Sequence, residues 1–240
     1  MSRIHLTSCT STNDELSRRA ADGAEAGTVL VADEQTAGRG RGDHRWYSPP
    51  GDLFASILLR PEVDLARVAA VSLVVGISVA NALREFGVDA QLTWPNDVVV
   101  GTRKIAGILP ESSSRGASVE YVIAGIGVNV ATRVYPEWLG QIATSIAIER
   151  VGPPPSRDEV LERIIGALDN PLERFVGGGV AAIRDEWELL WRDRGRVGSA
   201  KIDGRSVRGE VIGLTNDGHL ALELPSGDRV AAVAGTVDIE

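Results

Sequence analysis

An α+β architecture is what the sequence predicts: a mixed sheet with helices over residues 1–193, followed by a small barrel-like β domain over residues 194–240. Three observations carry this. Strand-like runs such as "GTVLVADEQ" and "DLFASILLR" alternate with helical patterns at 65–86 and 157–175. The stretch "VGPPPS" at 151–156 breaks any regular element. Near 194 the pattern changes to short runs, "VRGEVIGL", "HLALEL" and "RVAAVAGTVDIE", separated by "TNDG" and "PSGD", which read as hairpin turns.

The elements follow in order. A short strand-like piece precedes "TSTNDELSRRA", where Thr12 and Glu15 have capping-box spacing and Leu16 and Ala20 form an inward stripe. "GTVLVADEQ" and "DLFASILLR" read as strands, the latter ended by Pro61. The valines and alanines of 65–86 predict the longest helix, laid against a sheet. "AQLTWPNDVVVGTRKIAGILPES" predicts two short strands turning at Gly101 and Thr102, with Pro110 stopping the second early or marking an edge. "VEYVIAGIGVNVA" is a further, mostly apolar strand. Residues 157–175 are helical, bent or interrupted at Pro171, and a second helix carries Trp187 and Trp191. Cys9, Trp138, Trp187 and Trp191 are expected to pack in the core.

Composition excludes several classes. The chain has 240 residues, 43% hydrophobic and 24% charged, an ordinary globular balance. Its 33 acidic against 25 basic residues give a net charge of -8, so no positive surplus marks a nucleic-acid surface. The single cysteine, Cys9, allows no intrachain disulfide, and no secretory signal or bilayer-length apolar run is evident. A cytoplasmic protein is the simplest expectation.

Three constellations bear chemistry. In "DEQTAGRGRGDHRWYSPPGD", Arg39 and Arg41 sit between Gly38, Gly40 and Gly42. Such a loop is either a solvated turn with arginines paired to surface carboxylates, or an anion loop in which backbone N–H groups and guanidinium forks meet a phosphate. Gln35 and Trp46 flank it. It has neither P-loop nor dinucleotide-fold spacing. In "TWPNDVVVGTRKIAGILPE", Asn96, Asp97 and Lys104 are polar in an apolar neighbourhood. Asp97 capping a turn and Lys104 snorkelling is one reading. The other is carboxylate activation, Lys104 stabilising phosphoryl charge and Asp97 orienting or deprotonating an incoming amine. In "GIGVNV", two glycines and Asn129 end an apolar strand, either simply relieving crowding in a sheet or giving the amide partners that a nucleotide ribose or phosphate, with or without Mg2+, can supply.

Together "STND" at 11–14, "EQTAGRGR" at 34–41 with Trp46, "WPNDVVVGTRKIAGIL" at 94–109 and "GIGVNV" at 125–130 resemble the catalytic core of biotin protein ligases, across essentially the whole chain. The resemblance implies a class II synthetase-like, biotin/lipoyl ligase catalytic domain with an SH3-like β-barrel after it. It implies synthesis of biotinyl-5'-AMP from biotin and MgATP, then biotin transfer to a lysine of a biotin carboxyl carrier domain, as in biotin–[acetyl-CoA-carboxylase] ligase. By resemblance, Lys104, Arg41 and Asp97 are catalytic. Ser11, Thr12, Asn13, Gln35, Gly38, Arg39, Lys104 and Gly107 face biotin; Arg39, Arg41, Trp46, Asn96 and Asn129 face the nucleotide; Mg2+ comes mainly through the ATP phosphates. Arg39 and the glycine loop are expected to order over the adenylate and keep water out.

Lipoate or octanoate ligases share this chemistry and form the nearest alternative, followed by a noncatalytic biotin or nucleotide-binding module. The loop departs from the family pattern at Asp43, His44 and Arg45, where an acidic residue near a triphosphate opposes binding unless it points away. About ten residues precede Ser11, so the resemblance points to the stand-alone form without a DNA-binding module, and the family also allows a homodimer.

Overall fold

The computed structural model describes residues 2–116, 118–202, 204–234 and 237–239. The first sheet contains β1 (Arg3–Cys9), β2 (Val29–Gln35), β3 (Leu53–Leu59), β4 (Gln91–Thr93), β5 (Asp97–Val100), β6 (Arg103–Arg115) and β7 (Ser118–Val128). Their spatial order is β1-β2-β3-β7-β6-β5-β4. The β1–β2 pair is parallel and the other neighbours are antiparallel. The helices are α1 (Thr12–Ala21), α2 (Val71–Glu85), α3 (Ile146–Glu149), α4 (Arg157–Gly178) and α5 (Arg184–Leu190).

The two-residue period of strands decides which side is core and which is site. In β7, Val122, Ala124, Ile126 and Val128 join the main core with α2 and α4. Tyr121 and Ile123 point the other way, into a smaller cluster with Leu16 and Ala20 of α1 and with Leu30 and Leu58. The next two residues on that second face are Gly125 and Gly127, so α1 packs over one half of this face and open space is left over the other.

Several elements differ from the sequence expectation for identifiable reasons. Thr12 is the first residue of α1 and Ser11 is its N-cap, with no side-chain capping bond. The expected box fails because the Thr12 hydroxyl donates to Gln35, while Glu15 pairs with Arg18 and Arg19. A 3-10 segment, Leu65–Ala70, leads into α2. By length and composition Leu65–Glu85 is apolar enough to span a bilayer, contrary to expectation, yet 72% of its most apolar window is buried inside the fold. Pro110 does not stop β6, which runs on to Arg115 paired with β7. Pairing with β5 ends at Gly107, so Pro110 lies where one side of the strand is unpaired and its missing N–H costs nothing. Pro171 likewise lies inside an uninterrupted α4.

The second sheet contains β8 (Val197–Ile202), β9 (Arg205–Leu214), β10 (Leu220–Glu223), β11 (Arg229–Ala232) and β12 (Val237–Ile239), in the order β11-β10-β9-β8-β12, antiparallel throughout. "TNDG" and "PSGD" turn the chain between β9 and β10 and between β10 and β11. The expected SH3-like barrel is not formed. Closure needs the edge strands to pair, and here β11 and β12 end opposite edges of an open sheet. Its apolar face is instead covered by the rest of the molecule: Ala200, Val211, Leu214, Leu220 and Leu222 share one buried cluster with Trp187, Leu190 and Trp191. The Trp94 indole N–H also donates to the Gly218 carbonyl at 3.0 Å, tying the β4–β5 turn to the β9–β10 hairpin.

At the start of α4, Ser156 and Glu159 form a reciprocal capping box. The backbone N–H and then the hydroxyl of Ser156 hold the Glu159 carboxyl below its ordinary range. A depressed carboxyl stabilises the fold above its unfolded pKa and loses that contribution as pH falls through its folded value. We expect Ser156→Ala to cost about 1 kcal/mol in urea unfolding near neutral pH, with the gap to wild type narrowing as the solution is acidified below the carboxylate range.

Candidate active site

A cavity of about 460 Å3 opens on the second face of the first sheet. Its floor depends on missing side chains. A Cβ on Gly125 would overlap the Asn13 amide, and one on Gly127 would come within 2.5 Å of the Trp46 ring. A Cβ on Gly107 would meet the same ring at 2.9 Å and the Lys104 chain at 3.1 Å. Trp46 therefore lies against β6 and β7 because Gly107 and Gly127 carry no side chain, while Gly125 makes the same room for Asn13.

The polar end is built from α1, β2 and β3. The Thr12 backbone N–H and hydroxyl donate to Gln35 Oε1 at 2.9 and 3.2 Å, and Gln35 Nε2 donates to the Ser48 hydroxyl at 3.3 Å. The Ser56 hydroxyl donates to Asn13 Oδ1 at 2.6 Å. Asn13 Nδ2 in turn donates to Glu111 Oε2 at 2.6 Å and to the Leu109 carbonyl. Ser11, Thr12 and Asn13 are all buried.

On the opposite wall Lys104 Nζ lies 2.7 Å from Asp97 Oδ1 and 5.2 Å from the centre of the Trp46 ring. The pair is carried by β5 and β6, whose register brings Val99 opposite Lys104 and Asp97 opposite Gly107 across a bulge. Asn96 holds β6 from the side: its Nδ2 donates to the Ile108 carbonyl and its own carbonyl accepts from Ile108 N–H. The Asn129 amide finds its partners in the protein, donating to the Thr144 carbonyl at 2.8 Å.

The glycine loop is a narrow hairpin, in which Gly40 N–H donates to the His44 carbonyl and Trp46 N–H to the Gly38 carbonyl. Arg39 faces Asp14 and Glu111, whereas the guanidinium groups of Arg41 and Arg45 have no ion pair among the described residues. Asp43 is exposed and outside the cavity lining. Of the residues singled out in the sequence, Ser11, Thr12, Asn13, Gln35, Arg39, Arg41, Trp46, Asn96, Asp97, Lys104, Gly107 and Asn129 line one cavity. Gly38 does not line it; it underlies the loop, with no room for a Cβ against Ser48, the Trp46 carbonyl and Gln35.

The far rim is the segment 131–145, which the sequence did not mark. Trp138, expected in the core, is 65% exposed and meets Tyr47 edge-on, ring centres 6.4 Å apart. Most of 131–142 is exposed or half-buried because the chain leaves the sheet after β7 and runs along the cavity, returning to the interior at Ala143, Thr144 and Ser145. Its root is Asp52, which is fully buried. Asp52 Oδ1 accepts from the N–H groups of Val130, Ala131 and Thr132 at 2.8, 2.8 and 3.1 Å, and Oδ2 accepts from the Thr132 hydroxyl at 2.6 Å. The Tyr135 hydroxyl donates to the Thr144 carbonyl, and burial pushes its phenol well above the ordinary range, with the Asp52 charge adding to the effect. Tyr135 therefore stays a neutral donor. Ser56 had a legible signal, being polar inside an apolar strand; Asp52, at the end of a turn sequence, had none.

Residues 5–129 match the model of the biotin/lipoate A/B protein ligase family. The chain is 31% identical to the bifunctional ligase/repressor BirA of Bacillus subtilis (strain 168) over 92% of its own length and 68% of that relative. It is 31% identical to the biotin–[acetyl-CoA-carboxylase] ligase of Paracoccus denitrificans over 93% of itself and 95% of that protein. The structure of biotin protein ligase from Aquifex aeolicus in complex with biotin and ATP superposes with a TM-score of 0.84 at 30% identity, covering 100% of this chain and 98% of that one. The chain belongs to the biotin/lipoate A/B protein ligase family, in its biotin protein ligase branch.

Removing the Asp52 carboxylate strands the buried Val130 N–H and the part-buried N–H groups of Ala131 and Thr132 and the Thr132 hydroxyl. Asp52→Ala is expected to cost on the order of 3 kcal/mol in chemical unfolding, and Asp52→Asn, which keeps an acceptor for the N–H groups, clearly less. Equal losses for the two would refute the anchoring role.

Proposed function

We propose that the chain is an ATP-dependent biotin–protein ligase of the biotin–[acetyl-CoA-carboxylase] ligase type. It joins biotin and MgATP into biotinyl-5'-AMP and pyrophosphate, then passes the biotinyl group to one lysine of a biotin carboxyl carrier domain. The observation that carries this reading is the Lys104–Asp97 pair, 2.7 Å apart in the wall of a cavity with a polar end, in a chain of this family.

In the first step a biotin carboxylate oxygen attacks the α-phosphorus of ATP, and the bond to the bridging oxygen of the leaving pyrophosphate breaks. Lys104 offsets the charge on the carboxylate and the phosphoryl group, with Arg41 on the phosphate side. In the second step the carrier lysine amine attacks the acyl carbon, the acyl–phosphate bond breaks, AMP leaves, and Asp97 orients the amine or takes its proton. The biotin head is assigned to Ser11, Thr12, Asn13 and Gln35, with Gly38 supporting the loop, Arg39 beside it and Gly107 along the path. Trp46, Asn96 and Asn129 are assigned to the nucleotide side, with Arg39 and Arg41 toward its phosphate. Magnesium is assigned to the ATP phosphates and enters as part of the substrate. The division into 1–193 and 194–240, action in the cytoplasm, and pairing of two copies through an open sheet edge are carried as parts of the same proposal.

Biotin-dependent exchange of labelled pyrophosphate into ATP tests the activity. Exchange is expected with biotin and not with lipoate or octanoate; folded protein that exchanges only with the latter two overturns the biotin assignment. Lys104→Ala should lower the exchange rate by about a hundredfold with an unchanged circular dichroism spectrum, and an unaltered rate would reject its role. Gly125→Ala should raise the Kd for biotin, measured by calorimetry, because a methyl group displaces the Asn13 amide.

A further inference from the structure

The glycine loop is tied down by an arginine whose partners are carboxylates. Both Asp14 oxygens lie 2.7 Å from Arg39 Nη1, and both Glu111 oxygens lie 2.8 Å from Nη2. Asp14 stands in the first turn of α1, and Glu111 stands on β6 two residues beyond Leu109, on the face that carries Gly107. One arginine therefore spans the loop, the helix that presents Ser11, Thr12 and Asn13, and the strand that carries Lys104.

We infer that Asp14 and Glu111 are positioning residues which act through Arg39 as a clasp, holding the glycine loop over the biotin end of the site so that the reactive adenylate is retained. The inference rests on the proposed ligase reading and gives Arg39 a different task from Arg41. Two carboxylates against one guanidinium leave the Asp14–Arg39–Glu111 cluster net negative with both Arg39 Nη atoms occupied, so while the clasp is closed Arg39 offers a phosphate less than Arg41 does. Arg41 and Arg45, without ion-pair partners among the described residues, are the loop cations left for that work.

Two features make the clasp more than a surface ion pair. Its partly exposed side chains would contribute little as isolated pairs, but Asp14 and Glu111 take one Nη each of the same planar guanidinium, so the two contacts together set its orientation. Glu111 Oε2 is also shared with Asn13, and Asn13 continues to Ser56. The loop is thereby connected to the polar end of the cavity through one unbroken chain of hydrogen bonds. At the loop itself, Arg39 pairs through its backbone with Arg45, next to Trp46. Fixing Arg39 fixes both sides of the hairpin and the aromatic floor it carries.

The test is release of biotinyl-AMP from enzyme that has completed one round of adenylation, measured as free adenylate in a chase. Asp14→Asn combined with Glu111→Gln should raise release by about tenfold, as should Arg39→Ala, and adding Arg39→Ala to the pair should change it by less than about twofold, since residues acting as one unit are not additive. Unchanged release in the double carboxylate variant, or a further full increase on adding Arg39→Ala, overturns the clasp. Trypsin cleavage after Arg41 and Arg45 in substrate-free protein gives a second readout, expected to be faster in the double variant; equal cleavage overturns the clasp as well. Wild-type protein that makes no biotinyl-AMP would count against the ligase reading alone, because the cleavage comparison needs no substrate.

Discussion

Three absent side chains govern this molecule. Gly107, Gly125 and Gly127 share one face of two adjacent central strands, and what lies over them is decided by the lack of a Cβ. An alanine at any of the three would press on Asn13 or Trp46. Without that shallow bed the indole of Trp46 could not lie on the sheet, Lys104 would lose the ring beneath its ammonium group, and Asn13 could not reach back to Glu111. The opposite faces of the same strands are filled by valine, isoleucine and alanine. The sheet thus carries a dense side and a hollow side.

Around this hollow the charges are arranged in local pairs. Lys104 is matched by Asp97, and Arg39 by Asp14 and Glu111. The Lys104–Asp97 pair is single and partly exposed and can exchange partners when an anion arrives, at small cost because such pairs are weak in solvent, whereas Arg39 is held by two carboxylates at once. The buried carboxylate of the rim, Asp52, has no cation among the described residues and is balanced by three N–H groups and a hydroxyl. It is fixed, whereas the Lys104–Asp97 pair in the cavity wall is exchangeable. That difference separates the groups that build the rim from those that can meet a substrate.

Most of the first sheet was legible because its strands are short runs of branched aliphatics bounded by glycine and proline. The site was legible wherever a polar residue interrupts such a run, as Lys104, Asp97 and Asn129 do. Asn129 also shows the limit of that rule, since its amide is satisfied by the Thr144 carbonyl, a backbone group no sequence pattern announces. Trp138 was misjudged because a large aromatic reads as core when the layer above it is unknown, and here it is exposed. Thr12 and Glu15 matched a capping motif whose atoms were taken by Gln35 and two arginines. The barrel was expected from strand lengths and turns, which are the same in an open sheet; closure depends on whether distant edges meet. Glu111 lay in plain sight, two residues on from Leu109 on the hollow face, and the strand period alone would have marked it.

The hydrogen bond from Trp94 to Gly218 has a meaning for the exchange of parts as well as for shape. The tryptophan belongs to the segment that leads into Asp97, and the glycine belongs to a hairpin of the terminal sheet. Because the apolar faces of the two sheets merge into one interior, neither can be exchanged for a foreign counterpart without refitting the seam between them. Substitutions along that seam must be accommodated on both sides, so the terminal strands are tied physically to the sheet that carries the site even though no residue assigned to chemistry lies in them.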